Sequence, residues 1–371
     1  MMEVTKDSIQ SKALDIIKLY NRCGVSVSMG VGKTRLALKH FKYVQSQILP
    51  DDPPMKALVV VPKNSIITEA WKPEIEGMGL NEDDFEFVTY LSLTKKDPDI
   101  YTVVYLDECH NLLPKHIKFL NAFRGWIFGF TGTPPVRKTS EKYRLVNEYC
   151  PIVYDYTVDN ATNDNILNDY KIYVHMLELS DKKTLSKKMK NGGFFKTSEL
   201  RDYNYYTGRV SRSSGKGKQF ASIMRMKAMM EYKTKEKYTL ELLDKIKDKV
   251  IVFANTQKQA DKLCPYSYHS KNKDSDYNLE LFKDGRIEQL SCVLQLSEGA
   301  NIPNLKCGII MHAYGNERKS AQRIGRLLRL NPDQTAICHI LCYKNTQDQV
   351  WVKSALSSFD KSKIFIYGKD E

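Results

Sequence analysis

The residues with the clearest chemistry lie in SMGVGKT, positions 28 to 34, directly after the alternating run VSVS. Glycines can adopt backbone angles closed to other residues, so Gly30 and Gly32 can turn main-chain N–H groups toward one anion. The periodic stretch TRLALKHFKYVQSQI that follows predicts an amphipathic helix whose positive N-terminal end meets the same anion. The spacing fits G-x-x-x-x-G-K-[ST], except that Val27 stands in place of the first glycine. This is the chemistry of a phosphate cradle, with Lys33 reaching the β- and γ-phosphates and Thr34 ligating Mg²⁺.

A second group is acidic. TVVYLDECH reads as a buried strand ending in Asp107 and Glu108. In an open parallel sheet, ligands bind beyond the carboxyl ends of the strands, which is where such a pair would meet a bound nucleotide. Asp107 would hold the cation, directly or through water, and Glu108 would orient and deprotonate an attacking water. A third group, Arg323, Arg326 and Arg329, recurs every three residues in QRIGRLLR and would line one side of a helix.

These residues need a scaffold of parallel strands, and the pattern of the chain provides for one. Up to residue 156, strand-like and helix-like segments alternate, with candidate strands GVSVSM, KALVVVP, FEFVTY, TVVYLD and GWIFGFTGT. Several are continuous apolar runs, as expected when both sheet faces are covered. TVDNATNDNILND then reads as a linker. A basic, mostly helical element follows, and KVIVFANTQKQADKL restarts the alternation, with later strands at SCVLQL, CGIIMHA and AICHILCY. We therefore expect an α/β chain with a first unit over 1–156, a linker and basic helical element over 157–248, and a second unit over 249–371.

Composition narrows the setting. The chain has 371 residues, no apolar run of membrane-spanning length and no signal-peptide core, which points to the cytoplasm and away from membranes. Its eight cysteines show no CxxC pair and read as reduced core thiols, among them Cys338 and Cys342 on one strand face. The net charge of +13 is concentrated: residues 171–249 hold 20 Lys and Arg against 9 Asp and Glu. Such a field attracts a polyanion. Arg209, Arg212, Lys216 and Lys218, set among glycines and serines, have a loop-like phosphate-binding composition. Tyr203, Tyr205 and Tyr206 could stack on bases or pack between helices, and the cluster Met224, Met226, Met229 and Met230 reads as helix packing.

Taken in order, these segments resemble the superfamily 2 helicases and translocases of the DExH type. Gln10 in DSIQSKAL resembles the glutamine that reads adenine, although no arginine precedes it. SMGVGKT resembles motif I, VVVPKNSIITEAW motif Ia, VTYLSL the next strand-contacting motif, DECH motif II and TGTP motif III. IVFANTQKQADKL resembles motif IV, LSEGANIPNL motif V, with Asn301 where an aspartate is usual, and QRIGRLLR motif VI. FKDGRIEQLSCVLQLSEGANIPNL and YKNTQDQVWVKSAL are most similar to compact phage helicases of the UvsW kind, in which case the compartment is the host cytoplasm.

The resemblance implies two RecA-like lobes that bind ATP and Mg²⁺ between them and move on nucleic acid. It adds Gly299, Asn301 and Gln322 to the nucleotide site, brings Arg326 and Arg329 to the γ-phosphate, and gives His110 the task of linking the acidic motif to the opposite lobe. An arginine of this kind is worth about 10³ to 10⁵ in rate. It places Pro62, Lys63, Asn64, Thr89, Asn255 and Thr256 along a strand's backbone, where contacts carry little sequence information. The implied activity is ATP-dependent unwinding, branch migration or annealing of DNA, alongside replication or recombination proteins. An RNA helicase and a nucleotide-gated clamp that does not unwind are the rival readings. Because the chain starts shortly before Lys33, no N-terminal DNA-binding domain is expected. Trp351 is expected to anchor the last helix.

Overall fold

The computed structural model describes residues 4–28, 30–49, 54–166, 169–189, 192–293, 302, 305–313, 334–357 and 359–368. The chain divides into two compact units, the first ending at Asp169 and the second beginning at Tyr170.

The first unit is built on β1 (Arg22–Val27), β2 (Ala57–Val61), β3 (Phe85–Thr89), β4 (Val103–Asp107), β5 (Trp126–Thr131) and β6 (Ile152–Tyr156). They form one sheet in the order β3-β2-β4-β5-β1-β6, and every neighbouring pair is parallel. The ALVVV of β2 is buried along its whole length because helices cover both faces. One cover is the helix Lys33–Gln45, whose Leu36, Ala37, His40, Phe41 and Val44 fall on the buried side at helical spacing. β6 escaped the sequence pattern, since its IVYDY is only partly buried at the sheet edge.

The second unit holds β7 (Tyr170–Leu177), β8 (Leu185–Lys188), β9 (Phe194–Thr197), β10 (Val250–Ala254), β11 (Ser267–Tyr268), β12 (Gln289–Val293), β13 (Cys307–Ile310), β14 (Ala336–Tyr343) and β15 (Ile364–Tyr367). Seven of these make a parallel sheet in the order β11-β12-β10-β13-β14-β7-β15, while β8 and β9 pair antiparallel by themselves. The architecture is two RecA-like lobes with parallel sheets. Three stretches differ from the expected linker and helical element, the first being the β8–β9 pair itself. Residues 170–177 are β7, paired along all eight residues with β14, and 158–163 form a helical turn capped by Thr157, whose hydroxyl accepts from the Asn160 N–H.

The basic element does contain helices, Glu199–Ser211, Gly215–Met230 and Lys233–Lys245. Glu199 ties them to the sheet: its carboxylate accepts from the N–H groups of Lys233 and Thr234 at 2.6 and 3.0 Å, from the Thr234 hydroxyl and from the Ser180 N–H. A carboxylate at a helix N-terminus also complements the helix dipole. Below it, Lys235 is fully buried; its ammonium donates to the carbonyls of Met311 and Leu341 at 2.7 and 2.8 Å and pairs with Asp348 at 2.5 Å. The pair joins the carboxyl ends of β13 and β14 to the helices Lys233–Lys245 and Gln347–Ala355. Trp351 on the latter helix packs against the cluster of Tyr203, Met229, Tyr232 and Tyr343. All eight cysteines are buried free thiols, and no helix among the described residues is long and apolar enough to cross a membrane.

Two histidines face each other across β7 and β14. Tyr238 OH lies 2.8 Å from His175 Nδ1, and His175 Nε2 lies 2.9 Å from His339 Nδ1. A neutral imidazole has one donor and one acceptor, so the chain of bonds closes with both rings neutral. Burial pushes both down to about 4, aided at His339 by the neighbouring His175. Burial likewise holds His40 down at about 3. A folded-state value below the unfolded one, near 6.5, means that the unfolded chain takes up protons first as pH falls. The contribution of these histidines to stability is therefore fully present above about pH 6.5 and declines toward pH 4. Urea midpoints measured across this window should fall, and His339→Gln should flatten part of the decline.

Candidate active site

The register of the first sheet determines where the acidic pair sits. Asp107 at the end of β4 lies beside Phe130 on β5, so Glu108 comes level with Thr131, which itself lies beside Ser26 on β1. The loop leaving β1 therefore faces Glu108 across the end of β5. In that loop Gly30 and Gly32 have φ of 91° and 94°, the left-handed region that suits glycine. A Cβ on Gly32 would stand 2.5 Å from Gln10 Nε2.

Lys33 begins the helix, and its Nζ reaches Glu108 Oε1 at 2.5 Å. The other carboxylate oxygen, Oε2, accepts from the Thr131 hydroxyl at 3.0 Å. That hydroxyl also takes the N–H of Thr133 and lies 2.9 Å from His110 Nδ1. Because its single proton goes to Glu108, His110 must donate from Nδ1, which sets its tautomer. Glu108 itself has φ of 51°, an uncommon conformation outside glycine. The backbone turns sharply there, into a helical turn over Cys109–Asn111.

Packing holds that turn in place. Cys109 lies over Gly129 of β5, where a Cβ would come within 2.7 Å of Cys150 Sγ and 3.0 Å of Cys109 Sγ. Asp107 is equally constrained: Trp71 Nε1 donates to its Oδ2 at 3.3 Å, and Tyr90 OH donates to its backbone carbonyl at 2.8 Å. His116 Nε2 in turn meets the Tyr90 carbonyl.

The two carboxylates differ electrically although they adjoin. Burial pushes Asp107 up to about 6, against the opposing charge of Lys33. Burial acts on Glu108 in the same sense, but the charges of Lys33 and His110 and the hydrogen bonds from Lys33 and Thr131 outweigh it and hold the carboxyl at about 2. Glu108 is the carboxylate with preorganised cationic and hydroxyl partners. Asp107 is the one that gains most from a further cation.

Phosphate fits this surface. The helix Lys33–Gln45 has no side-chain cap at its N-terminus, and Gly32 stands at the cap position. Gln10 donates from Nε2 to the Val31 carbonyl at 2.7 Å, while its buried Oε1 and the buried Ser28 hydroxyl have no partner among the described residues. Among the described residues no group of three or more His, Cys, Asp or Glu side chains could hold a metal ion. A cation here would take Thr34 and Asp107 from the protein and its other ligands from phosphates and water, the usual manner of Mg²⁺.

The other expected site residues lie elsewhere. Pro62, Lys63 and Asn64 follow the carboxyl end of β2, and Thr89 ends β3. In the second unit Asn255 follows β10 with both side-chain amide atoms shielded and without partners among the described residues, and Thr256 caps the helix Gln257–Leu263. Arg209 lies in the last turn of one helix, and Lys216 and Lys218 open the next. Only Arg212 to Ser214 form the loop expected around them, because helix periodicity carries through Gly208 and resumes at Gly215. Tyr203 is buried and accepts from the Gln347 N–H at 2.8 Å, so it packs and does not stack on bases. Gly299, Asn301, Gln322, Arg323, Arg326 and Arg329 lie outside the described residues.

Thr131 and Trp71 were not singled out by sequence. Thr131 carries a signal in TGTP at a strand end, whereas Trp71 has none, because its contact with Asp107 depends on chain folding. Thr131→Val should leave Glu108, His110 and the Thr133 N–H short of a partner and cost about 1–3 kcal/mol in urea denaturation, with Thr131→Ser restoring most of it.

Residues 234–331 match the helicase conserved C-terminal domain, a segment that begins in the helix containing Lys235. The DNA 3'-5' translocase XPB2 of Sulfurisphaera tokodaii is 26% identical, with 86% of this chain and 77% of that protein covered. Among solved structures, the DNA-bound Type ISP restriction-modification enzyme LlaBIII aligns with a TM-score of 0.63 at 14% identity over 100% of this chain. This chain spans only 31% of that enzyme. The Pyrococcus furiosus Hef helicase domain aligns with a TM-score of 0.52 at 13% identity, covering 94% of this chain and 97% of that one. At such identities the structural likeness shows the fold alone, while the sequence matches show similarity to a helicase C-terminal domain and to a DNA translocase.

Proposed function

We propose that this chain is an ATP-driven DNA translocase or helicase of the DExH type, and that ATP is hydrolysed at the carboxyl end of the first sheet. The observation that carries this reading is the arrangement about Glu108: one carboxylate bound at once by Lys33 of the glycine loop and by Thr131, with His110 completing the set. In the proposal, Gln10 contacts adenine, Gly30 and Gly32 present their N–H groups to phosphate, and Lys33 moves from Glu108 to the β- and γ-phosphates.

That movement has a chemical consequence. While Lys33 holds it, Glu108 is a poor proton acceptor, with its carboxyl at about 2. Once Lys33 turns to phosphate, burial raises the basicity of Glu108, and Thr131 and His110 keep it aimed at a water. Thr34 and Asp107 would hold Mg²⁺, which when bound neutralises charge on the phosphates. Gly299, Asn301 and Gln322 would add nucleotide contacts, and Arg326 and Arg329 would stabilise the transferring phosphoryl group.

The net charge of +13 favours a nucleic acid, and DNA is favoured by the printed activity of the XPB2 relative and by the DNA-bound state of LlaBIII. Pro62, Lys63, Asn64, Thr89, Asn255 and Thr256 are the proposed backbone contacts, with Arg209, Arg212, Lys216 and Lys218 as a further grip. Unwinding, branch migration or annealing, a kinship with UvsW-like phage helicases, and association with replication or recombination proteins belong to the same proposal.

ATP turnover should be stimulated by single-stranded or forked DNA more than by matched RNA; stimulation by RNA alone would move the reading to an RNA helicase. Lys33→Ala should abolish turnover, and Arg326→Ala should lower it by about 10³-fold or more. Turnover of Lys33→Ala at the wild-type rate would remove the proposed cradle.

A further inference from the structure

Between β7 and the helix Glu199–Ser211, the ribbon β8–β9 pairs Leu185 with Thr197, Ser186 with Lys196, Lys187 with Phe195 and Lys188 with Phe194. Directly opposed residues share a face, so the ribbon has two unlike sides. On one side Leu185 and Thr197 are buried, Leu185 within the cluster of Tyr203, Met229 and Tyr232, and Lys187 pairs with Asp202 at 3.1 Å. That side fastens the ribbon to the unit.

The other side carries Ser186, Lys188, Phe194 and Lys196, all exposed, with Phe194 at 67%. The register that buries Leu185 is the one that holds this phenyl ring in water. Residues 182–198 contain six lysines and no Asp or Glu, and among the described residues no carboxylate pairs with Lys188 or Lys196. An anchored aromatic ring thus stands with one ammonium side chain directly across the ribbon, at about 5 Å between Cβ atoms, and another two residues along its own strand, at about 7 Å.

We propose that this outer face binds a single strand of nucleic acid, with one base stacked on Phe194 and the flanking phosphates on Lys188 and Lys196. The proposal rests on the reading of the chain as acting on nucleic acid, and it adds a contact that none of the motif residues provides. A protein partner would favour an apolar centre depleted of charge. Among the described residues of this face one ring is flanked by cations, while Phe195, 47% exposed, points to the opposite face; a single ring between ammonium groups is the combination that suits a chain of π faces joined by phosphates. Stacking is sequence-tolerant, so the face would grip any strand presented to it.

The test is binding of a labelled single-stranded DNA to the full chain across a salt series. Phe194→Ala should weaken binding by about 10-fold without altering the salt slope, Phe194→Tyr should restore it, and Phe194→Leu should not. Lys188→Gln combined with Lys196→Gln should reduce the slope of log K against log salt by about 1.4. Thermal melts should match wild type, since every altered side chain faces solvent. Wild-type affinity in Phe194→Ala, or an unchanged slope in the lysine variant, overturns the proposal; if that occurs while DNA still binds and stimulates ATP turnover, the broader reading stands. A wild-type chain that binds no strand at all would overturn both.

Discussion

The ion pair between Lys33 and Glu108 depends on strand order more than on either residue. Lys33 opens the helix that follows β1 and Glu108 follows β4, and they meet only because β5 lies between those strands with a threonine at its end. A one-residue shift of β5 would put Thr131 on the wrong face and Gly129 out from under Cys109. The sheet thus acts as a ruler for the site, and its dry interior makes each charge matter: Asp107 is driven up by burial and Glu108 is held down by its partners. Two carboxylates on successive residues acquire separate chemical characters from their different surroundings.

The second unit uses buried charge for a different end. Lys235 and Asp348 are sealed from water, and the ammonium spends its three donors on two strand-end carbonyls and one carboxylate. Removing either partner would leave an uncompensated charge in the interior, which is far more costly than the pair is stabilising. Such a pair specifies one arrangement of strand ends and helices. Glu199 does the same one layer out, joining the helical element to the sheet through main-chain donors. The helical element is consequently part of the second unit, with its charged ribbon and helix ends held at set positions on the surface.

The sequence by itself determined the alternation of apolar strands and amphipathic helices, the glycine loop, the acidic strand end and the basic segment, because each is a short-range pattern of residue types. The expected strands of the first unit are present within a few residues of their expected positions, as are those expected at KVIVFA, CGIIMHA and AICHILCY in the second; of SCVLQL only the first half lies within the described residues, in β12. Gly30, Gly32, Lys33, Asp107 and Glu108 lie at or beside strand and helix ends. The edge strands β6 and β15 escaped notice because each is only four or five residues long and mostly unburied, so IVYDY and IFIY, although largely apolar, show neither the length nor the setting of a core strand. β7 was lost inside a basic stretch whose composition resembles a helix, although its alternate residues are buried. Tertiary structure alone decided that Thr131 bridges Glu108 and His110, that Trp71 meets Asp107 and that Lys235 meets Asp348. Those contacts join residues far apart in the chain, and their existence follows from strand order and register, which no local spacing encodes.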